Sequence, residues 1–283
     1  MSTFDDSLRL RATFDAAAER YARARPGYPA RLFDDVVQLV GLEPGARVLE
    51  IGCGTGQATR PLAERGFRIV AVELGAALAA VARRNLAAFP SVEVVVGAFE
   101  AWPLPPEPFD LVLAATAFHW LDPAMRLAKT AAALRPGGCL AIVTTDHVAG
   151  GTEPFFVDVQ TCYERWDPAT PPGLRLQPAD EIPTESYAIE RSSWFEMPIV
   201  RRYTWEQAYT TDSYLDVLLT YSNHLALPSE ARAGLLSCIA HLIDVDYAGA
   251  IRKRYQNELL IARRRTSPAG APLEGEPCLS APG

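Results

Sequence analysis

A carboxylate followed by three alternating glycines stands out in the first third of the chain. The segment VLEIGCGTGQATR carries Glu50 shortly before Gly52, Gly54 and Gly56. Glycines let the backbone turn sharply and approach a ligand, and a glycine turn between strand and helix is where doubly wound folds bind nucleotides. The dinucleotide fingerprint is G-x-G-x-x-G, with a helix N-terminus facing a pyrophosphate. An acid before the glycines would repel a pyrophosphate, so the pattern E-x-G-x-G-x-G predicts a ligand with an ammonium or sulfonium group.

A histidine between two aromatic residues lies at a second turn from strand to helix. The stretch AATAFHWLDP begins as the end of an apolar strand and finishes with Asp122 and Pro123, which favour the start of a helix. Imidazole titrates near neutral pH, so His119 has the chemistry of a general base. Three roles stay open for it: a base, an orienting group in a pocket wall, or core packing.

These residues need a scaffold that brings strand ends together. Five apolar runs alternate with helical patterns in the first half of the chain, which predicts a parallel sheet wound with helices. The runs are RVLEI, RIVAV, VEVVV, DLVLAA and CLAIVTT, at residues 47–51, 68–72, 92–96, 110–115 and 139–145. Glu50 lies at the end of the first apolar run and His119 just after the fourth, so we expect both at the carboxyl edge of the sheet.

The second half of the chain has a different character. Residues 147–195 are rich in proline and aromatic residues and show no strand alternation, which predicts short helices covering an opening. Residues 196–205 and 255–265 are expected as the last strands, the latter antiparallel beside the sheet edge. Residues 206–250 are expected to be helical and to complete the cover. The weakly apolar, turn-forming residues 266–283 are expected to be a disordered tail.

Composition excludes several classes of partner. The net charge of -7 and the sequence pI of about 5.2 disfavour nucleic acid, which requires a basic surface. No apolar run reaches the roughly 18 residues that span a bilayer, and the first residues lack an apolar signal core, so we expect a cytoplasmic protein without membrane contact. The five cysteines are odd in number and lack C-x-x-C spacing, which predicts reduced thiols and no metal site.

From about residue 14 to residue 263 the chain resembles the class I S-adenosylmethionine-dependent methyltransferases. The glycine segment, Glu73 at the end of RIVAVE, the segment VVVGAFEAWPLPPEPFDLVLA and the turn LRPGG occur in that family's order. The chain is most similar to the small-molecule, trans-aconitate-methyltransferase-like branch (methyltransferase type 11). The resemblance implies an α/β fold with a doubly wound Rossmann-like, mostly parallel seven-stranded sheet, an antiparallel edge strand and a helical insertion over the site. It also implies S-adenosylmethionine as cofactor and S-adenosylhomocysteine as product.

The resemblance also implies which residues hold the cofactor. The carboxylate of Glu73 occupies the position that hydrogen-bonds both ribose hydroxyls, since it can accept two donors at once. Many relatives place Asp where this chain has Ala98, so the backbone near Phe99, or Glu100, would have to hold the adenine amino group. The full predicted set is Arg25, Glu50, Gly52, Cys53, Gly54, Thr55, Gly56, Glu73, Leu74, Ala98, Phe99, Glu100, Ala115 and Thr116.

Residues 1–30 resemble the helical arm that folds over the cofactor in this branch, ahead of a cofactor-binding core at 31–146. Arg25 could pair with the cofactor carboxylate, and the ring of Tyr21, a predicted catalytic residue, could face the sulfonium. Tyr28 is expected nearby in the substrate pocket. The alternative is that RARPG is a solvated turn joining two helices.

Further residues are predicted for the substrate pocket. Phe118 and Trp120 flank His119 and are interpreted as walls. Trp194 and Tyr221 come from the second half of the chain. His224 is interpreted as a solvated or capping histidine.

The resulting function is methyl transfer by in-line displacement to a carboxylate, hydroxyl or amine of a metabolite or natural product. A carboxylate acceptor needs no base, and His119 would then only orient the substrate. The chain has AATAF where enzymes that methylate amino groups of nucleic-acid bases have N-P-P-Y or D-P-P-Y, which agrees with its acidic charge. A non-methylating enzyme such as a cyclase, and a cofactor sensor without turnover, stay open, as does the choice between a monomer and a homodimer.

Overall fold

One seven-stranded sheet organises the chain. The computed structural model describes residues 18–266, and its strands lie in the order β3-β2-β1-β4-β5-β7-β6. The strands are β1 Arg47–Ile51, β2 Arg68–Glu73, β3 Val92–Val96, β4 Phe109–Ala115, β5 Leu134–Gly151, β6 Ile199–Thr210 and β7 Ala250–Arg263. Strands β1 to β5 pair in parallel, whereas β7 is antiparallel to both β5 and the edge strand β6. The predicted fold class is confirmed.

Helices cover both faces of the sheet and its carboxyl edge. They are α1 Ala18–Ala24, α2 Ala30–Val40, α3 Thr59–Glu64, α4 Ala76–Asn85, α5 Arg126–Ala133, α6 Glu153–Asp158, α7 Gln160–Trp166, α8 Thr211–Leu218, α9 Ser222–Ala226 and α10 Ser229–Asp246. No helix among residues 18–266 is long and apolar enough to cross a bilayer.

The core consists of two apolar layers that enclose the parallel strands. On one face Phe33 of α2 packs with Val48 and Leu111, and on the other Leu49 and Val112 pack with Ala131 of α5. Alternate residues of each strand therefore enter opposite layers, as the pleat requires. Because both faces are buried, the strands are continuous apolar runs, which is why they could be recognised in the sequence.

Strands β5 and β7 continue well beyond the carboxyl edge of the other parallel strands. The sequence predicts an end for β5 at Thr145, but its pairing with β7 continues from Cys139 opposite Arg263 to Gly151 opposite Lys253. Gly150 and Gly151 have positive φ angles of 120° and 69°, and a Cβ on Gly151 would collide with the carbonyl oxygen of Arg252. These glycines therefore allow the strand to bend while it stays paired.

The predicted bounds of the last two strands were too short. β6 ends at Thr210 and β7 begins at Ala250, so residues 206–210 are strand and not part of the helical cover. Twelve residues of β6 pair with β7. The prediction relied on the apolar pattern, whereas a strand at a sheet edge alternates with polar residues and its length is set by its partner.

The helices α6 to α10 form a separate layer over the edge, called the cap below. Phe155, Val217 and Leu235 of the cap share an apolar core with Tyr255 of β7. A disulfide joins Cys162 of α7 to Cys238 of α10, so the prediction of five reduced thiols is wrong for this pair. The cysteines are 76 residues apart in sequence, and only the packing of the two helices brings them together.

Cys53 and Cys139 are buried free thiols, and Cys278 lies outside the described residues. The predicted tail beyond Thr266 and the first 17 residues of the predicted arm also lie outside them. The described end of the arm, α1, packs Ala18 against Leu78 and Val81 of α4. The arm therefore rests on the core domain.

A substitution where α7 meets α10 tests the packing of the cap. A Cβ on Gly234 would lie 2.5 Å from ring atoms of Trp166, and overpacking of this kind costs about 1–3 kcal/mol. The gain in helix propensity from Gly to Ala, about 1 kcal/mol, opposes it. We expect Gly234→Ala to lower the free energy of unfolding measured by urea denaturation.

Ser237→Ala is the matched control, because Ser237 is exposed on the same helix, and it should leave stability unchanged or slightly raised. Stability of Gly234→Ala equal to or above that of Ser237→Ala would contradict this packing.

Candidate functional site

The glycine loop after β1 requires glycine both for conformation and for space. Gly52 and Gly54 have φ angles of 70° and 56°, in the region that disfavours residues with a side chain. A Cβ on Gly52 would lie 2.7 Å from the Cβ of Ala117. The loop therefore presses against the turn after β4 and leaves backbone, not side chains, on the cavity side.

Glu73, at the end of β2, fixes this loop. Its Oε2 accepts a hydrogen bond from the Gly54 N–H and its Oε1 accepts one from the Gly75 N–H, both at 2.8 Å. The residue is 7% exposed and lines the main cavity. Each carboxylate oxygen keeps acceptor capacity beyond one hydrogen bond, so the geometry suits a ligand that offers two hydroxyls.

Glu50, on β1, is a buried acid with one oxygen that has no partner. The residue is 1% exposed, and no group among residues 18–266 hydrogen-bonds to its Oε2. Burial raises the pKa of Glu50 to about 7; the side chain of Thr59 opposes this shift, and the charge of Glu73 adds to it. An unpaired buried carboxylate is costly to ionise, so this position suits a ligand that brings a positive charge.

A main cavity of about 470 Å³ extends from the glycine loop to the cap. A side cavity of about 70 Å³ adjoins it at Glu50. Predicted residues that line the main cavity are Tyr21, Arg25, Gly52, Gly54, Glu73, Leu74, Phe99, Thr116, His119, Trp120 and Tyr221. Tyr28, Glu50, Cys53 and Ala115 line the side cavity.

The arm contributes a wall to both cavities, so RARPG is not a solvated turn. The Arg25 guanidinium donates to the carbonyl of Thr220 at 3.0 Å and lies 5.1 Å and 4.3 Å from the ring centroids of Tyr21 and Tyr221. Its Nε is buried without a partner among residues 18–266. Arg25 is thus held in place with one N–H still available to an acceptor.

A strained residue links the arm to the sheet. Thr116, directly after β4, has a φ of 54°, which is uncommon for a β-branched residue. Its hydroxyl hydrogen-bonds to the hydroxyls of Tyr28 at 3.1 Å and Thr145 at 3.2 Å. The Asn257 amide of β7 donates to Thr145 at 2.8 Å, so hydroxyls from three elements are fixed in a row.

His119 lies in a short 3₁₀ turn, Phe118–Trp120, at the cavity wall. The residue itself is exposed, and its ring lies 4.8 Å from the Trp120 ring. Desolvation by the surrounding protein, and secondarily the Arg126 guanidinium, lowers its pKa. The imidazole is therefore neutral near pH 7 and can accept a hydrogen bond there, but it is a weaker base than an unperturbed histidine.

Two predicted wall residues are not in the cavity. Phe118 is buried and packs edge-on against Tyr187, with ring centroids 5.3 Å apart. Trp194 is 41% exposed, and its carbonyl accepts from the Arg265 N–H at 2.9 Å beyond the end of β7. Phe118 packs in the core layer that contains Val112 and Ala114 of β4, and Trp194 belongs to the segment that leads into edge strand β6. Both substrate-pocket predictions are corrected.

Four predicted cofactor residues line neither cavity: Thr55, Gly56, Ala98 and Glu100. A Cβ on Gly56 would lie 3.0 Å from Leu86, so this glycine serves helix packing. The Ala98 carbonyl accepts from Ala101 and Trp102 and closes a turn. Phe99 is the residue of the turn that reaches the cavity.

Two important cavity residues, His147 and Lys253, were not predicted, and a third, His224, was considered for the pocket but given a solvated or capping role. His147 and Lys253 lie on the extensions of β5 and β7, and His224 of α9 is buried and lines the cavity. The Nε2 of His224 pairs with the Tyr163 hydroxyl at 3.0 Å, so its interpretation as a solvated or capping histidine is wrong. One signal was available: the chain has four histidines, and three of them line this cavity.

No group of three or more His, Cys, Asp or Glu among the described residues could hold a metal ion. The site instead combines a glycine loop, a fixed acid at the end of β2 and a buried acid on β1, at the carboxyl edge of a doubly wound sheet. These features define a nucleoside-binding domain of the class I S-adenosylmethionine-dependent type.

Comparison with known proteins agrees with this class. Residues 48–138 match the family described as "Methyltransferase domain", and this part of the chain is a class I S-adenosylmethionine-dependent methyltransferase domain. An uncharacterised methyltransferase of Mycobacterium tuberculosis is 41% identical over 133 residues, which are 46% of this chain and 51% of that protein. The chain thus spans about half the length of this relative.

Two more distant relatives match over a larger share of the chain. An uncharacterised methyltransferase-like protein of Schizosaccharomyces pombe is 29% identical over 199 residues, 70% of this chain and 75% of that protein. A solved structure from Anaeromyxobacter dehalogenans, for which type II methyltransferase activity has been suggested, is 27% identical. It covers 86% of this chain and 99% of its own, with a TM-score of 0.58.

The raised pKa of Glu50 predicts that cofactor affinity depends on pH. The ionised carboxylate pairs with an ammonium and the protonated one does not. Since the pKa in the empty protein is about 7, affinity for S-adenosylhomocysteine should rise from about pH 6 to about pH 8 and then level off. Isothermal titration calorimetry at several pH values measures this.

The variants Glu50→Gln and Glu73→Gln distinguish the contributions of the two acids to cofactor binding. Both should weaken binding, but only Glu50→Gln should flatten the rise with pH. In the absence of ligand, wild-type stability should fall relative to Glu50→Gln as pH rises from about 4.5 to about 7 and then level off, because over that range the folded state holds the Glu50 proton and the unfolded state has lost it. A rise in affinity that persists in Glu50→Gln would show that another group titrates.

Proposed function

We propose that this protein transfers a methyl group from S-adenosylmethionine to a small-molecule acceptor. The observation that carries the proposal is the continuity of the main cavity. It begins at Gly54 and Glu73 of the methyltransferase domain and ends against the cap, at Tyr163 and His224. One continuous space therefore adjoins both the glycine loop and a wall formed by the cap.

The chain offers complementary groups for the amino-acid part, the ribose and the sulfonium of the cofactor. Bound S-adenosylmethionine supplies a methyl group activated by the sulfonium. In this proposal Glu50 holds the ammonium, Glu73 accepts the ribose hydroxyls and the guanidinium of Arg25 holds the carboxylate. The ring of Tyr21, beside Gly54, offers a π face to the positive sulfur.

The remaining catalytic task is to position the acceptor. Methyl transfer is an in-line displacement, and holding the nucleophile in line accounts for much of the acceleration of such reactions. The row of hydroxyls at Tyr28, Thr116 and Thr145 and the ring of His119 border the space where the strands end. His119, neutral near pH 7, accepts a hydrogen bond from an acceptor hydroxyl or amine and orients it.

The size and enclosure of the site support a small acceptor. A volume of about 470 Å³ lies in the range of small-molecule sites, about 300–1,000 Å³. Cap helices α6 to α9 line the cavity, and the Cys162–Cys238 disulfide ties α7 to α10. The acidic net charge of -7 also opposes a nucleic-acid substrate.

Incubation with methyl-labelled S-adenosylmethionine tests this proposal. The protein is mixed with a cell extract divided into small molecules, protein and RNA, and label is followed in each fraction. We expect label in the small-molecule fraction, and none with Glu73→Gln. Label in protein or RNA would overturn the proposal, and tight cofactor binding without any labelled product would favour a sensor or a non-methylating enzyme.

The role of His119 has its own test, using the acceptor found in that screen. A positioning histidine predicts a loss of less than about 100-fold in kcat/KM for His119→Asn, since general bases contribute about 100-fold to 10,000-fold. The shape of the pH-rate profile above pH 6 should stay the same. His241→Asn is the matched control, because His241 is exposed on α10 outside the cavity. A loss in kcat/KM of more than about 100-fold, together with disappearance of the acidic limb of the pH-rate profile, would identify His119 as a general base.

A further inference from the structure

Lys253 is a buried amine surrounded by aromatic rings. It is 5% exposed and lines the main cavity. Its Nζ lies 5.6–5.9 Å from the ring centroids of Phe156, Tyr214, Tyr221 and Tyr255. Rings at this distance stabilise an ammonium ion, but they do not neutralise its charge.

No described carboxylate pairs with the Lys253 amine. Among residues 18–266, no hydrogen bond or ion pair is formed by the Lys253 amine. Glu73 is the one carboxylate among the described residues that line the cavity, and both of its oxygens already accept backbone N–H groups. The other charged residue of the wall, Arg25, is also positive. The cavity therefore has an excess of positive charge within a protein that is acidic overall.

The choice of lysine is itself unusual in this chain. Of its 27 lysine and arginine residues, two are lysines, Lys129 and Lys253. Lys129 donates to the carbonyls of Glu100 at 2.9 Å and Trp102 at 2.7 Å, so its amine has a structural use. A buried guanidinium would stay charged whether or not a ligand is present, whereas a lysine can lose its proton. Burial, with help from Arg25, lowers the pKa of Lys253 to about 7.

We infer that Lys253 is a specificity-determining residue that binds a carboxylate of the acceptor, so that the substrate is an organic acid. This inference rests on the proposed function and names the class of its substrate. Phe156, Val159 and Leu218 supply apolar wall beside the amine, which fits an acid with an apolar or aromatic body. Strand β7 carries Lys253 beyond the carboxyl edge, opposite Gly151, and thus on the cap side of the cofactor site.

Selective labelling makes this amine directly observable. Protein grown with lysine labelled with ¹³C at Cε gives two signals, one from each lysine, and Lys129 serves as the internal reference. S-adenosylhomocysteine is kept saturating throughout. The probes are aromatic and aliphatic carboxylic acids, each compared with the primary amide and the amine of the same skeleton.

We expect carboxylic acids to bind in preference to their amides and amines, and to shift the Lys253 signal while the Lys129 signal stays in place. Lys253→Met, which keeps an unbranched side chain in the aromatic surroundings, should weaken the binding of acids by about tenfold or more. It should leave the binding of amides and of S-adenosylhomocysteine unchanged. Lys253→Arg, which keeps the charge, should retain part of the preference for acids.

Two outcomes would overturn the inference: a panel in which amides or amines bind as well as acids, or an acid preference that survives in Lys253→Met. Failure of the proposed function is recognised separately. It would appear as absent binding of S-adenosylhomocysteine or absent methyl transfer, whereas a wrong substrate class leaves both intact.

Discussion

The antiparallel pairing of β5 with β7 is the interaction on which the site depends. β7 is the last strand, and it has to enter the sheet between β5 and the edge strand β6. The chain therefore leaves β5 at Gly151 and enters β7 at Ala250 on the same edge of the sheet, although β6 between them begins at the opposite edge. Because β7 stays paired with β5 as far as Gly151 and with β6 as far as Thr210, the cap lies over a three-stranded extension, and its residues complete the cavity.

This arrangement places two buried groups of opposite charge in adjoining cavities, Glu50 in the side cavity and Lys253 in the main one. Glu50 belongs to the parallel core and Lys253 to the extension. Each would lose stability by carrying its full charge without a partner, and burial shifts both pKa values toward about 7, from opposite directions. An ammonium beside Glu50 and, from a second molecule, a carboxylate beside Lys253 would each supply an interaction that folding alone leaves unmade.

The sequence predicts the parallel half better than the cap, for a physical reason. The strands around Glu50 and Glu73 are buried on both faces, so they appear in the sequence as continuous apolar runs. The glycine loop is recognisable because its turn requires glycines at fixed positions close together in the chain. His147 and Lys253 reach the cavity only through the register of β5 and β7, which joins residues far apart in the chain. The Cys162–Cys238 pair likewise depends on helix packing. Trp194 is an error of the opposite kind. It was predicted to line the pocket because it is aromatic, but the path of the chain places it outside the cavity.

The arm contacts both halves of the site, the core domain and the cap. Arg20 of α1 pairs with Asp216 of α8 at 3.1 Å, and Glu19 pairs with Arg84 of α4, so one short helix contacts both the cap and the core. Exposed ion pairs of this kind contribute little stability each, whereas Arg25 is half-buried between Tyr21 and Tyr221 and bonded to Thr220. The Nε of Arg25 has no partner among residues 18–266, so a ligand that accepts a hydrogen bond from it is held by a group already hydrogen-bonded to the cap at Thr220.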